Sequence, residues 1–243
     1  MLKERLRSMI LGPGDSASLP KPLASSGPPK ADLPVRPKAA QSMRHDNQVY
    51  TRNSHGLNQF FGHIESQTGL SILDLAGITQ ANVAFITNLG HRLYSEDFLR
   101  TLFETFGSSE EEFVAGQSDP QQIDSFLAQN LDFPEEFFDA VLVWDALEFL
   151  APPLLKATVV RLLKIVKPGC YVLAFFHAEE KPGPIPAYSY RIADSRTLHL
   201  TPYGTRHPVQ LFNNRGIEKL FQQFNSVKFF LARDHLREVI VTR

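Results

Sequence analysis

A doubly wound α/β sheet, mostly parallel, Rossmann-like, with helices on both faces and a C-terminal antiparallel hairpin, is the fold class this sequence predicts. Three observations carry it. Short apolar runs of β preference alternate with segments of helical period from residue 57 to residue 176, and that alternation calls for crossover helices between parallel strands. Residues 140–144 (AVLVW) are apolar without interruption, as a strand covered on both faces requires. At the C-terminus SVKFFLARD and LREVIVTR are two strand-like runs with only Asp234 and His235 between their apolar segments, the pattern of a hairpin.

The elements follow in order. Leu57, Phe60, Phe61 and Ile64 share one helical face, and Thr68-Gly69 ends that helix. LSILDLAG (70–77) reads as the first core strand; Thr79 caps a helix that runs to about Leu89 and stops at Gly90. HRLYSE (91–96) is the second strand, and Phe98, Leu99, Leu102, Phe103 and Phe106 mark the next helix. Asp119-Pro120 starts a helix over QQIDSFLAQN, while no run between 107 and 137 places a third strand. FFDAVLVWD (137–145) is the fourth strand. A helix through PLLKATVVRLLKIV ends at a Lys167-Pro168-Gly169 turn into CYVLAFF (170–176). Residues 178–212, rich in Pro, Tyr, Arg and His, read as a long irregular insertion on the substrate side. Asn213 or Asn214 then caps RGIEKLFQQF, with Ile217, Leu220, Phe221 and Phe224 on one face.

The 243 residues carry a formal net charge of −1, but unevenly. Residues 1–40 have a net charge of +4 and seven of the 17 prolines, and the remainder is at −5. The expected organisation is a disordered, Pro-rich basic tail at 1–45 and a folded domain at 46–243. Arg5 and Arg7 break up the apolar start, which argues against a signal peptide. No run of about 18 apolar residues suits a membrane span. The single cysteine, Cys170, excludes a disulfide framework and a Cys-rich zinc module, and fits a cytoplasmic setting. No metal-ligand spacing appears among the eight histidines, and no G-x-G-x-x-G motif of a nicotinamide site follows the first strand. No nucleic-acid partner is expected.

Two segments carry a family resemblance. NLDFPEEFFDAVLVWDALEFL (130–150) resembles the stretch of small-molecule, type 11-like class I S-adenosylmethionine-dependent methyltransferases that runs apolar-Pro-acid, Phe-Asp, buried strand, Leu-Glu-His-Leu helix. LLKIVKPGCYVLAFF (162–176) resembles that family's Leu-Lys-Pro-Gly-Gly turn and following strand. The resemblance extends from about residue 55 to the C-terminus. It departs at the glycine motif: the family's Asp-x-Gly-x-Gly-x-Gly is here Asp74-Leu75-Ala76-Gly77-Ile78-Thr79-Gln80, with one off-register glycine. At 149 the family's frequent histidine is Phe149.

The resemblance implies S-adenosylmethionine as cofactor, held by Asp74, Ala76 and Gly77 after the first strand. Glu96, 22 residues beyond Asp74, is the acid for the ribose hydroxyls, with Asp97 as the neighbouring alternative. Trp144 and Asp145 would meet the adenine or sulfonium and the methionyl amino group. Weak catalytic candidates are His177 and Glu179; Tyr188, Arg191, Tyr203, Arg206 and His207 are candidate contacts to an anionic or aromatic small-molecule substrate. Methyl transfer needs chiefly alignment, so a missing triad says little. The expected function is methyl transfer from S-adenosylmethionine to an unidentified small acceptor. The alternative is a methyltransferase-fold binding or regulatory module that has lost cofactor use, favoured if Ile78 fills the crevice and disfavoured if the crevice is open with Gly77 at positive φ.

Overall fold

The computed structural model describes residues 48–107, 109–178, 183–230 and 236–243. The expected tail therefore lies outside the described residues. In chain order the elements are β1 (Tyr50–Asn53), α1 (His55–Ile64), β2 (Ser71–Asp74), α2 (Gln80–Asn88), β3 (Arg92–Ser95), α3 (Phe98–Phe106), α4 (Glu110–Gly116), α5 (Pro120–Asn130) and β4 (Phe138–Trp144). After a 3-10 turn (Ala146–Phe149) come α6 (Pro152–Ile165), β5 (Val166–His177), β6 (Ile185–Asp194), β7 (Thr197–Arg206), α7 (Asn214–Leu220), β8 (Ser226–Phe230) and β9 (Leu236–Thr242). Local chemistry starts the helices: the Ser54 and Thr79 hydroxyls accept from the backbone N–H of Leu57 at 2.9 Å and of Asn82 at 3.1 Å.

The main sheet has the order β3-β2-β4-β5-β9-β8. Its first four strands are parallel, and β9 joins β5 and β8 antiparallel. This is the doubly wound sheet with a terminal hairpin that the sequence predicts; the hairpin's connection, 231–235, lies outside the described residues. Among the described residues no strand lies beyond β3. The chain instead passes through α3, α4 and α5, whose Phe98 and Phe106 rings pack on Phe126 with centroids 5.1 and 5.2 Å away. The third strand that the sequence does not place is thus absent from the described chain, and β3 is the sheet edge.

Strand alternation divides the interior in two. Leu73, Val141, Val143, Val172 and Phe176 face α3–α7. Ile72, Ala140, Leu142, Leu173 and Phe175 face α1, α2 and a second, smaller sheet.

That smaller sheet corrects the reading of 178–212 as irregular. β6 and β7 form an antiparallel hairpin to which β1 adds, in the order β1-β7-β6. Its buried hydrophobic residues are Ile185, Ala187, Tyr190, Ile192, Leu198 and Leu200. Register shifts at Ala187/Tyr188 and Ile192/Asp194 break the period-2 signal. Pro186 sits on an edge strand, where a missing N–H is tolerated, and Pro202 lies opposite the first shift. A second correction concerns Lys167-Pro168-Gly169. The turn lies inside β5, looped out between the pairs Phe138↔Val166 and Ala140↔Tyr171, with Gly169 at φ +80°.

A buried ion pair fastens the small sheet to the main one. Arg52 on β1 pairs with Glu238 on β9, donates to the Leu236 carbonyl at 3.1 Å, and the Gly56 N–H also donates to Glu238. No helix among the described residues is long and apolar enough to cross a membrane.

Candidate functional site

The carboxyl ends of β2 and β3 open into a cleft of about 960 Å3, walled on the far side by the β6–β7 hairpin. In a doubly wound sheet this edge is where ligands bind. Two loops form its floor and are tied to each other: Gly77 N–H donates to the Glu96 carbonyl at 3.0 Å, Glu96 N–H to the Asp74 carbonyl at 2.9 Å, and Ala76 bridges Asp97. Gly77 has φ +82°, and a Cβ there would lie 3.1 Å from Asp97 Cγ. Glycine is thus required by both backbone conformation and space.

The two acids after β3 have different partners. Asp97 caps α3, accepting from Arg100 N–H at 3.3 Å and Arg100 Nε at 2.9 Å. Glu96 has no ion-pair or side-chain hydrogen-bond partner among the described residues, and partial burial raises its pKa. Beside it Ser95 also lines the cleft, its hydroxyl oxygen buried with no hydrogen-bond partner among the described residues. Ile78 lines the cleft and is 79 % exposed, so it does not plug it.

Asp74 lies beneath this floor, fully buried. It accepts from Ala76 N–H at 3.0 Å, Trp144 Nε1 at 2.7 Å and Asn82 Nδ2 at 2.9 Å. Burial raises its pKa, and these three donors pull it back. Asn82 also donates to the Tyr190 carbonyl at 3.2 Å and accepts from Ile192 N–H at 2.8 Å. One side chain thereby joins the α2 start, the β2 end and strand β6. Trp144, at φ +57°, stacks on Tyr190 with centroids 4.8 Å apart.

Asp145, Glu148 and His177 form a second buried group at the ends of β4 and β5. Glu148 accepts from the His177 backbone N–H at 2.8 Å and meets its Nδ1 at 2.6 Å. Burial raises the Glu148 carboxyl while His177 opposes the rise, and burial likewise raises Asp145 against the fields of His177 and Arg206. The phenol of Tyr190 points toward Asp145, and burial raises its pKa; its hydroxyl has no hydrogen bond of good geometry.

The expected site residues therefore separate. Ala76, Gly77, Glu96, Asp97, Tyr188, Tyr203 and Arg206 come together on the cleft wall. Asp74, Trp144 and Asp145 are buried behind it, and His177 is enclosed with Glu148. Arg191 and His207 are exposed and lie off the cleft, while Glu179 falls outside the described residues. Sequence reasoning missed Glu148, Asn82, Arg100 and Phe103. An acid inside the apolar run WDALEFL is a signal for Glu148; the other three look like ordinary helix residues. Cys170 is buried and its thiol is pushed up, so it is not poised as a nucleophile. Among the described residues no group of three or more His, Cys, Asp or Glu side chains is placed to hold a metal.

No family model matches this chain, and no curated protein matches it. Several solved structures do. The chain is similar to 1,6-didemethyltoxoflavin-N1-methyltransferase of Burkholderia thailandensis, crystallised with 1,6-didemethyltoxoflavin and S-adenosylhomocysteine, at 12 % identity over 77 % of this chain and 75 % of that one, TM-score 0.43. It is similar to the glycopeptide N-methyltransferase MtfA in complex with S-adenosylmethionine at 13 % identity, covering 86 % and 99 %, TM-score 0.43. A putative type 11 methyltransferase from Sulfolobus solfataricus matches at 14 % identity over 79 % and 94 %, TM-score 0.42. The strand order, parallel from β3 to β5, closed by an antiparallel hairpin and led by α1, is the doubly wound, mostly parallel α/β sheet that the sequence predicts.

Proposed function

We propose that the chain binds S-adenosylmethionine in the cleft and transfers its methyl group to a small-molecule acceptor. The observation that carries this reading is the open cleft with Gly77 at φ +82° beside Glu96, which has no ion-pair partner among the described residues. The residues fit the nucleoside end of such a cofactor. Glu96 would accept from vicinal ribose hydroxyls, and Gly77, whose φ of +82° and close Asp97 neighbour leave no room for a side chain, holds the first loop in the turn that keeps the cleft open. When bound, the cofactor supplies an electrophilic methyl group on a sulfonium.

The chain's own contribution is position. Asn82, Asp74 and Trp144 fix the hairpin against the sheet, so Tyr188 and Tyr203 are held across the cleft from Glu96. Asp145 is 5 % exposed and does not line the cleft, so the amino-acid end of the cofactor would be held by groups of the cleft wall instead. Alignment and exclusion of water by the hairpin are sufficient for an in-line displacement on an acceptor that is already nucleophilic.

Titration calorimetry of the full chain with S-adenosylhomocysteine tests the reading. Binding is expected, with Glu96→Ala weakening it by about 10- to 100-fold, the worth of a hydrogen bond to a charged group. No binding at millimolar ligand would overturn it and leave the non-catalytic module.

A further inference from the structure

Asp97 and Glu104 in the cleft are both answered by Arg100, at 2.9 and 3.8 Å. Two charges remain without an ion-pair partner among the described residues, Glu96 and Arg206. Arg206 is half-buried, and its guanidinium carbon lies 4.6 Å from the Phe103 ring centroid, 5.2 Å from Tyr203 and 5.9 Å from Phe149. Three rings surround the head, and among the described residues no hydrogen-bond acceptor takes its N–H donors. A guanidinium seated among rings, with its donors open to the cleft, can grip a carboxylate through two parallel hydrogen bonds.

The surroundings select the body of the ligand. Ile78 and Tyr203, at 79 and 48 % exposure, are two of the five large apolar side chains left exposed among the described residues, and both line this cleft. An apolar, ring-bearing mouth beside a fixed cation suits a flat molecule whose face is apolar and whose edge is anionic.

We propose that the Arg206 end of the cleft seats the carboxylate of a small aromatic acid, with its ring against Tyr203 and Ile78. On the methyl-transfer reading, on which only this role rests, that acid is the acceptor. An amino-acid arm is the poorer occupant. It brings an ammonium beside the carboxylate, and the acid in the field of Arg206, Asp145, is sealed beneath β6.

The test is calorimetry on the full chain at low ionic strength with 4-hydroxybenzoate and its neutral counterpart 4-hydroxybenzamide. Wild type should prefer the acid at least tenfold. Arg206→Met should erase the preference by weakening the acid at least tenfold more than the amide, and Arg206→Lys should restore part of it. 5′-Methylthioadenosine, which lacks the amino-acid arm, should bind Arg206→Met as it binds wild type, which shows that the cleft is intact. Equal affinity for acid and amide, no binding of either, or a preference that survives Arg206→Met would overturn the proposal. So would an Arg206→Met variant that loses affinity for S-adenosylhomocysteine but not for 5′-methylthioadenosine, since the carboxylate at Arg206 would then be the cofactor's own. If neither nucleoside binds while the acid preference and its loss in Arg206→Met persist, the carboxylate seat stands and the methyl-transfer reading falls.

Discussion

Replacing Gly77 by alanine probes the cleft floor directly. Its φ of +82° costs an L-residue about 1 to 2 kcal/mol. The new methyl would also sit 3.1 Å from Asp97 Cγ and 3.3 Å from its Oδ2, so Asp97 must shift by a few tenths of an ångström. Asp97 caps α3 through Arg100 N–H, already at 3.3 Å, and losing a cap costs about 1 kcal/mol. The exposed Arg100 ion pair adds little. Gly77→Ala should therefore destabilise the fold by about 2 to 3 kcal/mol. Gly69→Ala is the control: φ is +72° with nothing within 4 Å of the added Cβ, so only the backbone penalty applies. Urea unfolding followed by far-ultraviolet circular dichroism gives both values. In an Asp97→Ala background the excess of Gly77→Ala over Gly69→Ala should shrink to what the remaining Cβ contact at 3.3 Å costs. If Gly77→Ala costs no more than Gly69→Ala in the wild-type background, the claim that Asp97 and the missing Cβ define the floor is refuted.

Trp144→Phe removes one of three donors to the buried Asp74 carboxylate and should cost about 2 to 3 kcal/mol; Trp144 is the chain's single tryptophan, so circular dichroism is again the readout. Glu238→Leu removes the carboxylate paired with the buried Arg52 and should cost about 3 kcal/mol, the low end for a broken buried pair because Arg52 keeps its bond to the Leu236 carbonyl, with Arg52→Met/Glu238→Leu recovering part of that loss in the same unfolding assay. The pH dependence of Glu96 has a definite sign. Burial raises its folded-state pKa, so its contribution to stability is present below the unfolded value and is lost as pH rises through the folded one. Glu96→Gln should match wild type at low pH and exceed it in stability at neutral pH. Nucleoside affinity should run the opposite way, falling as Glu96 takes up its proton, and Glu96→Gln should flatten that profile; a wild-type affinity independent of pH between 4 and 8 would contradict the assignment.

Much of the fold was legible because its signals are local. Thr79 caps α2, the apolar run 140–144 forms the centre of β4, and the spacing of Phe98, Leu102 and Phe106 places α3. The β6–β7 sheet was not legible. Two register shifts and two prolines disrupt its alternation, and its burial depends on β1, more than 130 residues earlier in the chain and without a clear pattern of its own. The site divides along the same line. Glu96 and Gly77 were readable from their place after strands, but their environment was not. Asp97 follows the same strand as Glu96, yet Arg100 and the helix cap claim it. Asp145 and Trp144 end their strand as a ligand contact would, yet strand β6 covers them.

By itself the sequence determined the period of each segment, the parallel order that alternation imposes, and the residue types delivered to the carboxyl edge of the sheet. Only the tertiary structure decided which of those residues remain open to a ligand. The reason is physical: hydrogen bonding and burial between distant segments satisfy some polar groups, as Asn82 and Trp144 do for Asp74. Others, Glu96 and Arg206 here, have no ion-pair partner among the described residues and face the cleft.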